Sequence, residues 1–548
     1  MFRRLAIAAS LLAAFAAAAP ADAAIDGYVS EDVQIPTRDG NQLMGELSFP
    51  TDHGARVAGP LPVVLLYTPY CKQFPPSAPP RATFTSHGYV LADVAPPGAC
   101  GSTGRFTAFA PALGRAGYDA VEWLAAQPWS TGKVGMFGQS ADGISQLHTA
   151  QEHPPHLVTI AATIASADFY RDVVYPGGIF NAADVPPLMG VIYGEMYGPG
   201  LALRDPASSE QAVGGGELMP DDLAAQILQH PLYDDFWRSR SVDPRSIRIP
   251  ILSLGNFDDF FPRSTINLFL HSATKYRRLV IGGLGHEAPG PNLSSPETLD
   301  WMDYWLKGVH NTVPEKLATE PVRYYVMGAG RWESARRWPP TRRRLVLNVA
   351  AGNGPALTDG VLTTAAADDG TSVYAYAPEA GASPSHDGLN PAQGDQHAAG
   401  TALTFAGPPL TADTEITGDP TVRLRAATTA PDTDWIVRLV DIPPGNEVTQ
   451  SDNRYSNWTF VTNGQLRASH RGGDDHLEAI PAGQPVTYTI KIRPMSYLFA
   501  KGHSIGVQIT SADPTRSVDA PYAALNTIFH GSSISLPLGP ASAVRPAP

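Results

Sequence analysis

Ser140 stands where an apolar run gives way to a helical pattern, in KVGMFGQSADGISQLHTA at 133–150. A serine on a sharp strand-to-helix turn lifts its hydroxyl above the sheet. The helix start beneath it offers backbone N–H groups to a developing oxyanion. Gly138 and Gly143 suit a close strand–helix crossing, and Asp142 occupies a place where glycine is more familiar. Alone, Ser140 is equally readable as a helix N-cap. Downstream, Asp258 follows the apolar run of IPILSLGNFDDFF and His286 that of RLVIGGLGH. A serine needs a base to become nucleophilic at neutral pH, and a histidine needs a carboxylate to fix its tautomer. The chemistry expected of the three is acyl transfer through a covalent intermediate. Asp259 is the competing carboxylate.

These residues need a scaffold that brings strand ends together. Apolar runs occur at 62–67 (PVVLLY), 89–94 (YVLADV), 133–137, 249–254 and 278–283, each ending in a Gly- or Pro-rich loop. Short runs without alternation suit strands of a parallel sheet, buried on both faces. Helical patterns lie between them, as at Tyr118–Gln127 and Ile144–His153. The alternation predicts a doubly wound, mostly parallel α/β domain, whose functional groups sit at the carboxyl ends of the strands. Within it, the order Ser, Asp, His is that of the α/β-hydrolases. A hairpin is expected over 27–50, turning at Arg38-Asp39-Gly40.

From about 167 to 246 the alternation lapses, through VPPLMGVIYGEMYGPG and the helix-like DDLAAQILQHPLYDDFW, which predicts a helical cap inserted in the domain. Beyond 328, WIVRLVDI, VTYTIKIRP and HSIGVQIT alternate with period two and have no helices between them. They predict a C-terminal all-β sandwich of jelly-roll type. The expected division is therefore 1–23, a signal peptide; 24–166 with 247–328, the α/β-hydrolase domain; 167–246, the cap; and 329–548, the β domain.

Composition narrows the function. The first segment carries Arg3 and Arg4, an apolar run from Leu5 to Ala19, and the small-residue site Ala21-Asp22-Ala23. This reads as a secretory signal cleaved after Ala23, with a periplasmic or extracellular destination. A net charge of −13 argues against nucleic-acid partners and against anionic membranes. No His/Cys/Asp/Glu spacing suggests a metal or other cofactor. His148, His153 and His156 read as structural, and Arg336, Arg337, Arg342, Arg343 and Arg344 as a solvated linker flank. Homo-oligomerisation stays open.

The chain resembles the cocaine esterase / X-Pro dipeptidyl-peptidase family (CocE/NonD hydrolases). The resemblance rests on TPYCK at 68–72, EWLAAQPWSTGKVGMFGQS at 122–140 and HPLYDDFW at 230–237. It continues in GNFDDFF at 255–261, GGLGH at 282–286, LDWMDYWLKG at 299–308, RLVDIPPG at 438–445 and GSSISLPL at 531–538. It implies Ser140 as nucleophile, Asp258 rather than Asp259 as acid and His286 as base. It also implies the Tyr70 hydroxyl and the Ala141 N–H as oxyanion donors. Two departures stand out. Ala141 replaces the tyrosine that commonly follows the nucleophile, and DVAPPGACG replaces a D-x-R-G-type loop. Asp142, Asp259 and Phe260 are the candidates for the substrate pocket.

Cys71 and Cys100 are the only cysteines. In an exported chain, with both expected in loops at one sheet edge, they predict a disulfide. The substrates expected are small esters or amides. X-Pro dipeptides and α-amino acid esters or β-lactam amides are the enzymatic alternatives, and an inactive carbohydrate-binding-like protein is the non-enzymatic one. The long X-Pro dipeptidyl peptidases carry a large extra N-terminal domain, whereas here the hydrolase pattern starts almost at once.

Overall fold

A computed structural model describes residues 25–70, 80–182, 184–186, 188, 223–283, 285, 295–354, 358–378, 401–445, 458–512 and 520–542. The expected signal peptide, Cys71 and His286 lie outside the described residues.

The first sheet is built from β1 (Gly27–Pro36), β2 (Gln42–Asp52), β3 (Leu61–Tyr67), β4 (Val90–Val94) and β5 (Ser130–Gln139), followed by β6 (Leu157–Thr163), β7 (Ile251–Asn256), β8 (Arg277–Gly282), β9 (Val322–Val326) and β10 (Arg331–Ala335). Their order is β1-β2-β4-β3-β5-β6-β7-β8-β9-β10, with a two-residue stub, Ala55–Arg56, on β2. From β4 to β9 neighbouring strands are parallel, and antiparallel pairs close both ends.

The continuous apolar runs are explained by two cores. On β3, Val63 and Leu65 enter one cluster with Val121 and Leu147, while Val64 and Leu66 enter another with Trp301 and Phe84. A strand covered on both faces has no solvent side on which to alternate. Trp301 is fully buried and donates its indole N–H to Thr159 Oγ1 at 2.7 Å. Truncating such a side chain costs about 3–5 kcal/mol.

Helix α1 (Pro111–Ala125) precedes β5 and α2 (Ala141–Gln151) follows it. Between β6 and β7 lie short helical segments, among them α3 (Leu223–Gln229) and α4 (Asp235–Ser239), where a cap was expected. Helix α5 (Pro262–His271) starts just beyond β7. The boundary expected at 329 falls between β9 and β10, both of which belong to the first sheet.

Among the described residues the C-terminal part is all-β: an eleven-stranded, mostly antiparallel sheet beginning at Arg344, and a separate two-stranded sheet of Thr414–Gly418 with Met495–Phe499. Three strands of the larger sheet matter below: β11 (Thr421–Thr428), β12 (Thr459–Arg467) and β13 (Val486–Lys491). On β13, Tyr488 and Ile490 are buried in the core, and Thr487, Thr489 and Lys491 between them are exposed, the period-two pattern of a half-covered strand. Trp338, which interrupts the arginines expected to form a solvated linker flank, is buried and packs on Phe257 with ring centroids 5.8 Å apart. The linker thus braces the loop that carries Asp258.

Candidate functional site

Ser140 sits between β5 and α2 with φ 59° and ψ −121°. A non-glycine residue held there costs of the order of 1–3 kcal/mol and persists only where its surroundings enforce it. Its N–H donates to the Thr163 carbonyl at 3.1 Å, and its carbonyl accepts from Ile144 N–H at 2.9 Å. The hydroxyl makes no capping bond to α2, so the N-cap role is not the one it plays. The crossing depends on two glycines. A Cβ on Gly138 would fall 2.5 Å from Asp142 Cβ, and one on Gly143 would fall 2.8 Å from the Thr163 carbonyl oxygen. Neither position has room for a side chain. Ala141, buried, is the first residue of α2, so its N–H belongs to the unsatisfied helix start.

Tyr70 lies just past the end of β3, buried, with its N–H donating to Thr68 Oγ1 at 3.1 Å. The Thr68 N–H bonds in turn to the Val94 carbonyl at 2.9 Å, which ties the loops after β3 and β4 together. In the second loop, Cys100 Sγ lies 3.5 Å from the carbonyl oxygen of Pro69, two residues before Cys71.

Asp258 follows β7 and is exposed, whereas Asp259 beside it is buried and accepts from Phe260 N–H. Two bonds join this loop to the one after β8. Phe257 N–H donates to the Gly282 carbonyl at 2.9 Å, and Asn256 Nδ2 donates to the Gly285 carbonyl at 3.1 Å. A Cβ on Gly285 would lie 3.2 Å from the Asp258 carbonyl oxygen, so the residue before His286 is packed against Asp258. Phe260 is half-buried against Phe261.

Asp142 is buried, and burial pushes its carboxyl well above the usual range. A hydrogen bond from Thr68 opposes that shift, and the nearby Asp93 adds to it. Asp93 itself lies 3.5 Å from Arg81, which pairs with Glu46 at 2.6 Å. The carboxyl of Asp142 therefore faces the ends of β3 and β4. His148 is fully buried and pushed down to about 4 by desolvation, and His156 pairs with Glu122 at 2.7 Å. Both roles are structural. Thr68 and Asn256 hold the site together, and neither was singled out from sequence, although both lie inside motifs quoted above.

A parallel sheet with a strained serine above it, and an aspartate-bearing loop tied to the loop that leads to His286, belong to a hydrolase of the α/β class. Residues 39–288 match the X-Pro dipeptidyl-peptidase (S15 family), and residues 315–528 match the X-Pro dipeptidyl-peptidase C-terminal non-catalytic domain. The chain belongs to the cocaine esterase / X-Pro dipeptidyl-peptidase family of CocE/NonD hydrolases. It is 28% identical over 554 residues to a cocaine esterase of Rhodococcus sp. (strain MB1 Bresler), covering 89% of this chain and 92% of the relative. A CocE/NonD family hydrolase from Staphylococcus aureus shares the fold with a TM-score of 0.75 at 21% identity, over 93% of this chain and 94% of the other. An α-amino acid ester hydrolase does so with a TM-score of 0.73 at 20% identity, over 97% and 100%.

Proposed function

We propose that the chain is an exported serine hydrolase that opens carboxylic ester or amide bonds through an acyl-enzyme on Ser140. His286 takes the hydroxyl proton as Ser140 attacks the carbonyl carbon, and Asp258 orients and stabilises the imidazolium. The Tyr70 hydroxyl and the Ala141 N–H receive the oxyanion. The proton then passes from His286 to the leaving group. Water, deprotonated by the same histidine, releases the acid and restores the serine. The observation that carries this reading is the backbone of Ser140, strained at the β5–α2 turn with its hydroxyl not spent on the helix.

An ester is the first choice of substrate because the cocaine esterase relative is matched along nearly its whole length. An X-Pro dipeptidyl amide is the second, favoured by the match of both family segments. Preference for a free α-amine has weaker support, since Asp142 is buried, engaged with Thr68 and held towards its neutral form. A paired screen of p-nitrophenyl esters, β-lactam amides and Xaa-Pro chromogenic amides decides among them. Fluorophosphonate labelling separates an enzyme from an inactive carbohydrate-binding-like protein. Labelling lost in Ser140→Ala is expected, and undiminished labelling of that variant would remove Ser140 from the mechanism.

Export and a Cys71–Cys100 disulfide form part of the same reading. The bridge is supported by the approach of Cys100 Sγ to Pro69. It would close a loop of about thirty residues, worth of the order of 3–4 kcal/mol in the chain-entropy account. Intact mass of the exported protein after alkylation tests both, and two alkylated thiols would refute the bridge.

A further inference from the structure

A cleft of about 340 Å³ opens where three stretches of chain meet. They are the turns at Tyr170–Val174 and Pro176–Gly178, the segment from Phe260 to Arg263 at the start of α5, and the face of β12 and β13 with the loop after β12.

Five basic side chains line this cleft against three acidic ones, in a chain whose net charge is −13. Part of the positive charge is already matched. Arg171 is paired with Asp168 and, at 2.6 Å, with Asp474, and Arg471 pairs with Glu478 at 2.8 Å. Arg263 and Lys491 are placed differently. Arg263 donates to the Ile492 carbonyl at 3.4 Å, and among the described residues neither cation is held in an ion pair. Their charge reaches Asp419, and that of Arg263 reaches Asp172, without close contact. Asp172 accepts from Ser166 Oγ at 2.7 Å and from Ser264, and burial pushes it up to about 7. Near neutral pH it subtracts only part of a charge from the cleft. A concave, low-dielectric wall focuses the field that remains.

The walls are fixed in place. Gly177, at φ 66°, lies so near β12 that a Cβ would fall 2.1 Å from the Gln465 carbonyl oxygen, and Gln465 Nε2 donates to the Pro176 carbonyl at 2.9 Å. The outward face of β13 aims Thr489 and Lys491 into the space. Phe260 lines the cleft only two residues beyond Asp258, so the cleft adjoins the loop that carries the proposed catalytic acid.

We propose that this cleft is a subsite for an anionic group, a carboxylate borne by the ester or amide substrate and held by Arg263 and Lys491. The inference builds on the hydrolase reading and names the substrate class that this arrangement selects. Aliphatic carboxylates bind there through charge-assisted hydrogen bonds, with Arg263 able to grip both oxygens.

Two measurements test it. The first compares kcat/KM for p-nitrophenyl monoesters of dicarboxylic acids of increasing chain length with their methyl-capped, neutral counterparts. Wild type should favour the free acid by about ten-fold at the chain length that reaches the cleft, and added salt should weaken the preference. In Lys491→Gln and in Arg263→Gln the ratio of acid to neutral ester should fall towards one, and Lys491→Glu should invert it. The second measurement is calorimetric binding of glutarate against glutaramide, which needs no turnover. Glutarate should bind the wild type more tightly, and the difference should vanish in the same variants. Neutral esters turned over with no acid preference at any length, together with equal binding of glutarate and glutaramide, would overturn the subsite and leave the hydrolase standing. Tight glutarate binding with no ester or amide hydrolysed would uphold the anion site and sink the hydrolase reading instead. Lys491 is exposed on its strand, so its variants should fold normally, as a melting curve will show.

Discussion

The side-chain amide of Asn256 donates to the carbonyl oxygen of Gly285 at 3.1 Å, joining the end of β7 to the residue before His286. Parallel neighbours β7 and β8 bring their carboxyl ends to one edge, but strand pairing alone does not set where the following loops point. A buried amide bridging them does. Asn256→Ala should therefore lower kcat by about ten-fold and destabilise the protein by about 1 kcal/mol, the usual worth of one buried hydrogen bond. Turnover with a p-nitrophenyl ester and a urea melt check the two effects. Unchanged kcat with lost stability would make the bond merely structural.

Asp258 and Asp259 differ sharply in surroundings. Asp258 is exposed at the edge next to Gly285, while Asp259 turns back to its own loop and accepts from Phe260 N–H. Asp258→Asn should lower kcat by about 10⁴, since the histidine loses its orienting carboxylate. Asp259→Asn keeps an acceptor oxygen for Phe260 and should cost less than about ten-fold. The reverse ranking would move the catalytic acid by one residue.

The strands at 61–67, 90–94 and 251–256 were legible because burial on both faces leaves a continuous apolar run. Strand β6, LVTIAAT, was not singled out, although it pairs between β5 and β7. Its two threonines and small alanines dilute the signal, and only the folded sheet shows Thr159 receiving the Trp301 indole. The offset of Asp142 from Ser140 could be read, but not the side it faces. The left-handed φ of Ser140 sets how α2 begins, and that angle is a property of the packed turn. The basic cleft was invisible for another reason. Arg171, Arg263 and Lys491 come from three distant segments, and no local pattern marks a convergence made by docking one sheet against another part of the chain.

Tyr70 is buried at the end of β3 with its backbone fixed by Thr68. Removing its hydroxyl leaves the ring to fill the same space. Tyr70→Phe should thus lower kcat by about 10² to 10³ with KM little changed, the scale of one lost oxyanion donor. Steady-state kinetics with an ester and an amide measure the split. A change confined to KM would make Tyr70 a substrate-binding group.

Asp142 offers the clearest pH test. Desolvation dominates its surroundings, so its carboxyl in the folded protein holds its proton well above the ordinary value of 3.8. Above about pH 4 the unfolded chain releases that proton while the folded chain keeps it, and the unfolded state then binds fewer protons. Stability contributed by this group accordingly falls as pH rises, until the folded carboxyl also ionises. A side-chain amide in its place would have no proton to lose. In Asp142→Asn the melting temperature, measured against wild type, should rise progressively as the pH climbs above the ordinary carboxylate range. Because burial holds the wild-type carboxyl towards its neutral form, kcat on neutral esters should change by no more than a few-fold. The ratio of kcat/KM for a phenylglycine ester to that for its N-acetyl form should be alike in both proteins. A wild type that instead gains on the variant as pH rises would mean an ionised, stabilised Asp142. Combined with a free-amine preference lost in the variant, that result would place a substrate ammonium beside it.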